Sequence, residues 1–315
     1  MHSAQPSDAE LTVIIVSYNT RDLTLKAVET LLKNAGDVAM RVVVFDNASA
    51  DGSAEAVAGA FPDIEVIAND KNLGFAAANN LVAAQTQTEW LLLLNPDTET
   101  HPNAVENLLA FSRAHPEAGI TGGRTVFPDG SLNPASCWQK MTVWSLLCRA
   151  IGLPALIPNS RLLNPEAIGG WRRDSVRTVD IVVGCFFMIP TRIWRELGGF
   201  RSHYFMYGEE ADLCLRAAKR GYRPMITPDA QIMHLAGAAS GERADQSVAV
   251  SKAKATLIRD HWSRPLAPIG LFLMWLTALV RRAGAPFAGD EQQRQAKIIG
   301  WRKRREWLAG YWKDS

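Results

Sequence analysis

Polar residues with the chemistry of a binding site recur along the first hundred positions, each group directly behind a short apolar run. They are Ser17, Tyr18 and Asn19; Asp46 and Asn47; Asn69 and Asp70; and Asn95, Pro96 and Asp97. Any one such group reads equally well as a turn former or helix N-cap. Four in succession point to a single crevice. Asp97 is its best candidate metal ligand, because one protein carboxylate plus phosphate oxygens suffices for Mg2+ or Mn2+, which keep several other oxygen ligands. A second cluster, FMYGEEADLCLR, places Glu209 and Glu210 at a helix start. A carboxylate in a partly desolvated cleft has its pKa raised toward the working pH and can serve as general base. Asp212 and Arg216, four residues apart, read as an ion pair on that helix. His234 ends the run AQIMH; it is either a satisfied core histidine or a ligand to the same metal, and the company of Asp97 favours the ligand.

The absences narrow the chemistry. The chain contains no GxxxxGK[ST] loop and no GxGxxG after its first apolar run, which disfavours a P-loop or a dinucleotide fold. It lacks a serine nucleophile elbow as well. Phosphates then have to be neutralised another way, and a carboxylate-held cation is the usual solution.

The apolar runs are the elements that must position these groups. LTVIIVSY, RVVVF, IEVIA and WLLLL alternate with amphipathic stretches, the first marked by Val28, Leu31 and Leu32 at helical spacing. Short, fully apolar strands alternating with helices imply βαβ units and a mostly parallel sheet covered on both faces. In such sheets ligands bind beyond the carboxyl ends of the strands, where the polar groups stand. A helix is expected to start near Thr100–Pro102. The stretch from Thr125 to about Arg177 is less regular; FPDGS reads as a hairpin turn, and Trp138, Trp144 and Trp171 shape either an acceptor site or the core. Strand returns at VDIVVGCFFMIP, a helix runs from Glu209 to Arg220 with Gly221 closing it, and RPMIT and AQIMH read as two closing strands.

With 315 residues, 47% of them hydrophobic and 21% charged, the chain can build a large core without disulfide or metal staples. Its four cysteines show no metal-type spacing and read as reduced, structural thiols. The polar start MHSAQPSDAE has no apolar signal region, so a cytoplasmic protein is expected. The net charge of +2 hides an asymmetry: residues 281–315 carry nine basic and four acidic side chains, so the rest sums to −3. Residues 11–262 form the expected α/β domain and 263–315 a basic, partly apolar helical extension. Within it PLAPIGLFLMWLTALV is shorter than the roughly 20 residues of a spanning helix. WRKRREWLAGYWK has the composition of an interfacial helix. The extension reads as peripheral attachment to a membrane surface or as a homodimer contact, and no pattern points to nucleic acid.

VIIVSYN, VFDNASADGS, NLGFAAANN, LLLLNPD, GCFFMIP, GGF, FMYGEEADLCLR and HLAGAAS, in this order over about residues 11–240, together resemble the inverting GT-A glycosyltransferases of family 2, in particular the rhamnosyltransferase-like branch. The resemblance implies the GT-A fold and a nucleotide-diphosphate sugar donor, with dTDP-rhamnose the first guess and UDP-sugars next. The acceptor would be a glycan or polyprenyl-linked glycan of the cell surface. It places Tyr18 and Asp46 at the nucleoside base with Asn79 nearby. Asn95 and Asp97 become the metal and diphosphate motif, Asn95 standing where the family more often has Asp, with His234 assisting. The family usually carries Glu-Asp where this chain has Glu209-Glu210, which moves the expected base to Glu210, one methylene longer, with Glu209 as the alternative. Two rivals remain at this level: a sugar nucleotidyltransferase, and a catalytically silent nucleotide-sugar-binding protein.

Overall fold

The structure, a computed structural model, describes residues 9–235 and 243–313. The chain divides into two compact units. One comprises Met1–Cys137, Arg172–Ser202 and Leu213–Ala239, the other Trp138–Trp171, His203–Asp212 and Ser240–Ser315. The residues after 262 therefore share a unit with two earlier segments.

The first unit begins with the expected alternation. β1 (Leu11–Ser17), α1 (Arg21–Asn34), β2 (Met40–Asp46), α2 (Ser53–Ala60), β3 (Glu65–Ala68), α3 (Gly74–Gln85) and β4 (Trp90–Leu94) follow one another. β3, β2, β1 and β4 lie side by side and parallel. β1 and β4 are buried along their whole length, which is why they read as unbroken apolar runs. Val13, Ile15, Leu92 and Leu94 sit in one core with Val28 and Leu31 of α1; burying each such side chain contributes about 1.5–3 kcal/mol. Leu32, expected on the same face, is exposed.

Beyond β4 the path departs from the sequence expectation. β5 (Thr98–Thr100) intervenes, and α4 (Ala104–Ala114) starts only after Asn103, whose backbone is left-handed with φ of 60°. β6 (Thr121–Val126) and β7 (Leu132–Asn133) close the FPDGS hairpin, with the amide of Phe127 donating to Ser131 O at 2.8 Å. After the short β8 (Cys137–Trp138) come the helices α5 (Val143–Ala150) and α6 (Leu153–Leu156) of the second unit. β9 (Arg177–Thr178), β10 (Ile181–Val182), β11 (Phe186–Pro190), α7 (Thr191–Leu197), α8 (Glu209–Lys219) and β12 (Met225–His234) follow. The main sheet runs in the order β3-β2-β1-β4-β11-β6-β12-β5, with β7 and β9 as short additions. β11 is antiparallel to both β4 and β6, while β12 is parallel to β6 and antiparallel to β5. The two closing strands of the sequence reading are one strand. Its register against β6 shifts between Thr227 and Gln231, where Pro228 offers no amide to the ladder.

α9 (Arg243–His261), α10 (Leu266–Ala283), α11 (Glu291–Arg302) and α12 (Arg304–Ala309) complete the second unit. Leu146 of α5, Val248, Ala255 and Ile258 of α9, Leu273 and Met274 of α10 and Trp307 of α12 form its core. α5 opens with a capping box, Ser145 N donating to Thr142 Oγ1 and Thr142 N to Ser145 Oγ. Behind it Glu166 is buried among Ser145, Arg149 and Lys254. All four cysteines are buried free thiols.

Candidate active site

The parallel strands β1, β2 and β3 end together, and the backbone stitches their ends. Asn47 N donates to Ser17 O at 2.8 Å, and Asn69 N donates to Asp46 O at 2.9 Å. Ser17 is wholly buried, its hydroxyl 2.9 Å from Thr24 Oγ1 and 3.1 Å from Thr20 Oγ1, so it braces the start of α1. Asn19 has a left-handed backbone (φ 53°), and its Oδ1 accepts from Ala50 N. Asn47 is satisfied within the protein: Oδ1 accepts from Leu73 N, and Nδ2 donates to Asn72 Oδ1 and Gly74 O. These three side chains shape the loops. Of three others, one is exposed and two have an enclosed oxygen that no protein group satisfies. Tyr18 is 43% exposed; Asp46 is buried, with Oδ2 accepting from Ser49 N and Oδ1 without a hydrogen-bond partner; Asn79 is buried, with Nδ2 donating to Phe75 O and Oδ1 without a partner. A buried acceptor left unpaired costs on the order of 1–3 kcal/mol. Asp46 ends β2 and Asn79 lies in α3, so both such oxygens belong to the βαβ part of the sheet.

The loop after β4 is pinned at both ends. Asn95 N donates to Cys185 O at 3.1 Å, and Asn95 O accepts from Thr98 Oγ1 at 2.7 Å. Asp97 is buried, and its carbonyl accepts from Leu235 N. Pairing of β12 with β5 sets His234 opposite Thr98, so the imidazole Nε2 comes to 3.3 Å from Asp97 Oδ1. Asn133 Nδ2 donates to His234 O and holds the strand end. Burial by itself would push the His234 imidazole down. The sulfur of Cys185 and the carboxylate of Asp97 outweigh it and carry it up to about 10. Among the described residues no three His, Cys, Asp or Glu side chains form a metal cluster. A carboxylate oxygen and an imidazole nitrogen that converge are nevertheless fitting donors for a divalent cation whose remaining ligands come from a diphosphate and water.

In the second unit, Tyr207 (φ 66°) and Gly208 (φ 89°) turn the chain into α8. A Cβ on Gly208 would lie 3.1 Å from Ala253 Cβ and from the Tyr204 ring, so position 208 needs glycine for both its backbone and its space. Glu209 is buried and Glu210 half-buried, each with Oε2 enclosed and without a hydrogen-bond partner. Burial, and then the neighbouring Glu210 carboxylate, push Glu209 well above the usual carboxylate range; burial pushes Glu210 up as well. Asp212 accepts from His261 Nε2 at 2.8 Å.

Several supporting residues carry no local sequence signal. Asp260 Oδ2 accepts from Tyr204 OH and lies 3.1 Å from His203 Nε2, while Oδ1 accepts from Trp312 Nε1. Tyr311 OH donates to Met206 O. The last turns thus fold back onto the segment that presents Glu209 and Glu210. Asn80 likewise latches the backbone of Phe200 through both ends of its amide. Two cavities, of about 190 Å³ around Trp90, Ser112 and Pro190 and about 550 Å³ around Lys26, Thr100 and Met233, include neither Asp97 nor His234.

Comparison with known proteins meets this geometry. The N-acetylglucosaminyl-diphospho-decaprenol L-rhamnosyltransferase of Mycobacterium tuberculosis is 26% identical over 245 residues, 71% of this chain and 78% of that one. The O-antigen biosynthesis protein RfbC of Myxococcus xanthus is 26% identical over 226 residues, which are 70% of this chain but 17% of RfbC. Among solved structures, the mannosyltransferase PcManGT of Pyrobaculum calidifontis, in complex with GDP-Man and Mn2+, matches with a TM-score of 0.55 at 18% identity. That likeness covers 98% of this chain and 85% of PcManGT and shows the shared fold. The family described as glycosyl transferase family 2 matches residues 12–177, and with the GT-A sheet and the strand-end residues in place, this chain belongs to that family.

Proposed function

We propose that the protein is an inverting, metal-dependent hexosyltransferase of cell-surface polysaccharide synthesis. It acts on the cytoplasmic side of the membrane and moves a sugar from a nucleoside-diphosphate donor, dTDP-rhamnose first, to a glycan or polyprenyl-linked glycan. The observation that carries this reading is the approach of His234 Nε2 to Asp97 Oδ1, a donor pair directly behind the parallel strands. The activity for which the mycobacterial relative is named, the O-antigen role of RfbC and the GDP-Man and Mn2+ of PcManGT support it.

Asp97 and His234 would hold Mg2+ or Mn2+, which when bound offsets the charge that develops on a departing diphosphate. Asp46 and Tyr18 receive the nucleoside base, Asp46 through the oxygen that no protein group occupies, with Asn79 beside them. Asn95 supplies a neutral amide in place of a second carboxylate. Ser17, Asn19 and Asn47 keep the surrounding loops in shape through the bonds described above. Glu209 and Glu210 divide one task. Burial raises both carboxyls, and the neighbouring Glu210 carboxylate raises the deeper Glu209 further. Glu210 serves as the base: it takes the proton of an acceptor hydroxyl as that oxygen attacks the anomeric carbon and the bond to the departing nucleoside diphosphate breaks. A single displacement inverts the centre.

Product analysis with a panel of nucleotide sugars tests the reading. Release of nucleoside diphosphate with a glycosylated acceptor is the expected result. Release of pyrophosphate would instead make the protein a nucleotidyltransferase, and donor binding without turnover would make it a silent binder.

A further inference from the structure

The helix α10 is apolar on two faces, and the second unit covers only one of them. Gly270, Leu273, Met274 and Thr277 are buried, Leu273 and Met274 in the core shared with α5 and α9. Leu266, Ile269, Phe272, Leu279 and Val280 are exposed, Phe272 by 55%. At 100° per residue those five occupy an arc of about 140°, with the buried Leu273 near one edge of it, and Arg281 and Arg282 lie about 60° beyond either end. Between His261 and Gly289 the chain has three arginines and no carboxylate. The same unit adds more bare apolar surface at Phe287, 88% exposed, and at Ile151, Leu156 and Leu162 around α6. A stripe this long without a polar side chain is not the solvated face of an ordinary surface helix.

We propose that the uncovered face of α10 docks in the plane of an anionic lipid bilayer, with the apolar stripe in the acyl boundary and Arg264, Arg281 and Arg282 at the phosphates. The absence of any acid along the stripe selects a negatively charged surface, and arginines at the edges of an apolar arc are placed to reach headgroups while their stems stay in contact with the chains. The helix lies on the bilayer rather than across it. Its 18 residues rise about 27 Å, short of the roughly 30 Å hydrocarbon core, and spanning would strip Leu273 and Met274 from the core of their own unit. This inference stands apart from the transferase reading, and its test contains no sugar donor.

The full chain is sedimented with vesicles of phosphatidylcholine, alone or mixed with phosphatidylglycerol. The wild type should pellet with the mixed vesicles and much less with the neutral ones. The double variant Phe272→Asp, Leu279→Asp should bind at least about tenfold more weakly, and Arg281→Ala, Arg282→Ala should lose the preference for anionic lipid. Both substitution pairs are at exposed positions, and an unchanged melting temperature checks the fold. Quenching of tryptophan fluorescence in the wild type by lipids brominated high on the chain, expected through Trp275 beside Phe272, needs no variant. Four results would overturn the proposal: no vesicle binding by the wild type, equal binding by the double variant, retention after alkaline carbonate as for a spanning helix, or a dimer in solution that Phe272→Asp dissolves.

Discussion

His234 and Asp97, 137 positions apart in sequence, stand side by side because the last strand of the sheet runs antiparallel to the three-residue strand that follows Asp97. That register puts Nε2 3.3 Å from Oδ1. It joins a carboxylate and an imidazole at one place without either helix dipoles or a glycine-rich loop.

Asp97→Ala should abolish Mn2+-dependent donor binding in calorimetry, and His234→Ala should weaken it about tenfold or more. The imidazole, raised to about 10, holds a proton at neutral pH in the metal-free protein, and a metal must displace that proton. Mn2+ affinity should therefore rise from pH 6.5 to pH 8.5 in the wild type and much less in His234→Ala. Identical pH dependence in the two proteins would remove His234 from the ligand set.

Glu210→Gln should lose transfer by a factor of at least about 10² while donor affinity stays within about twofold. Glu209→Gln should keep more activity, because the base is assigned to Glu210. Both carboxyls are raised by burial, and a base must be ionised. The acid limb of kcat should then lie at higher pH than an exposed carboxylate would set. A pH–rate profile of both variants assigns the base; full activity in Glu210→Gln transfers the role to its neighbour.

The C-terminal contacts should act on turnover rather than on donor binding. Tyr311→Phe removes the hydrogen bond to Met206 O, three residues before Glu209. Losing about 1 kcal/mol of positioning corresponds to a roughly fivefold lower kcat, with the KM for the donor unchanged. A rise in KM at constant kcat would show that the tail does not serve the base.

Glu166 makes a stability prediction. Burial pulls its carboxyl up, but Lys254, Arg149 and the Ser145 hydroxyl outweigh that and hold it down, at about 2 against an ordinary 4.5. The folded state binds the proton less well than the unfolded chain, so the stabilisation is complete above about pH 4.5 and is lost as the pH falls toward 2. Glu166→Ala should cost roughly 3 kcal/mol at neutral pH and flatten the acid limb of a denaturation series. An unchanged acid limb would mean that the cluster contributes nothing specific.

The primary structure alone determined the repeating part of this protein. β1, β2 and β4 are legible because strands covered on both faces must be apolar throughout, and their polar ends are legible because a chain leaving a buried strand needs hydrogen-bonding turns. Asp46 and Asp97 stand out as candidates in this way, and Glu209 and Glu210 as an acidic pair at a helix start. The tertiary structure decided what depends on partners distant in the chain. It made one strand, with a shift at Pro228, out of two apparent ones. It brought His234 to Asp97 and folded Tyr311 and Trp312 back onto Met206 and Asp260. It also left Leu266, Ile269, Phe272, Leu279 and Val280 of α10 exposed. Register and docking are set by contacts between segments scores of residues apart, and no window of local sequence contains both partners.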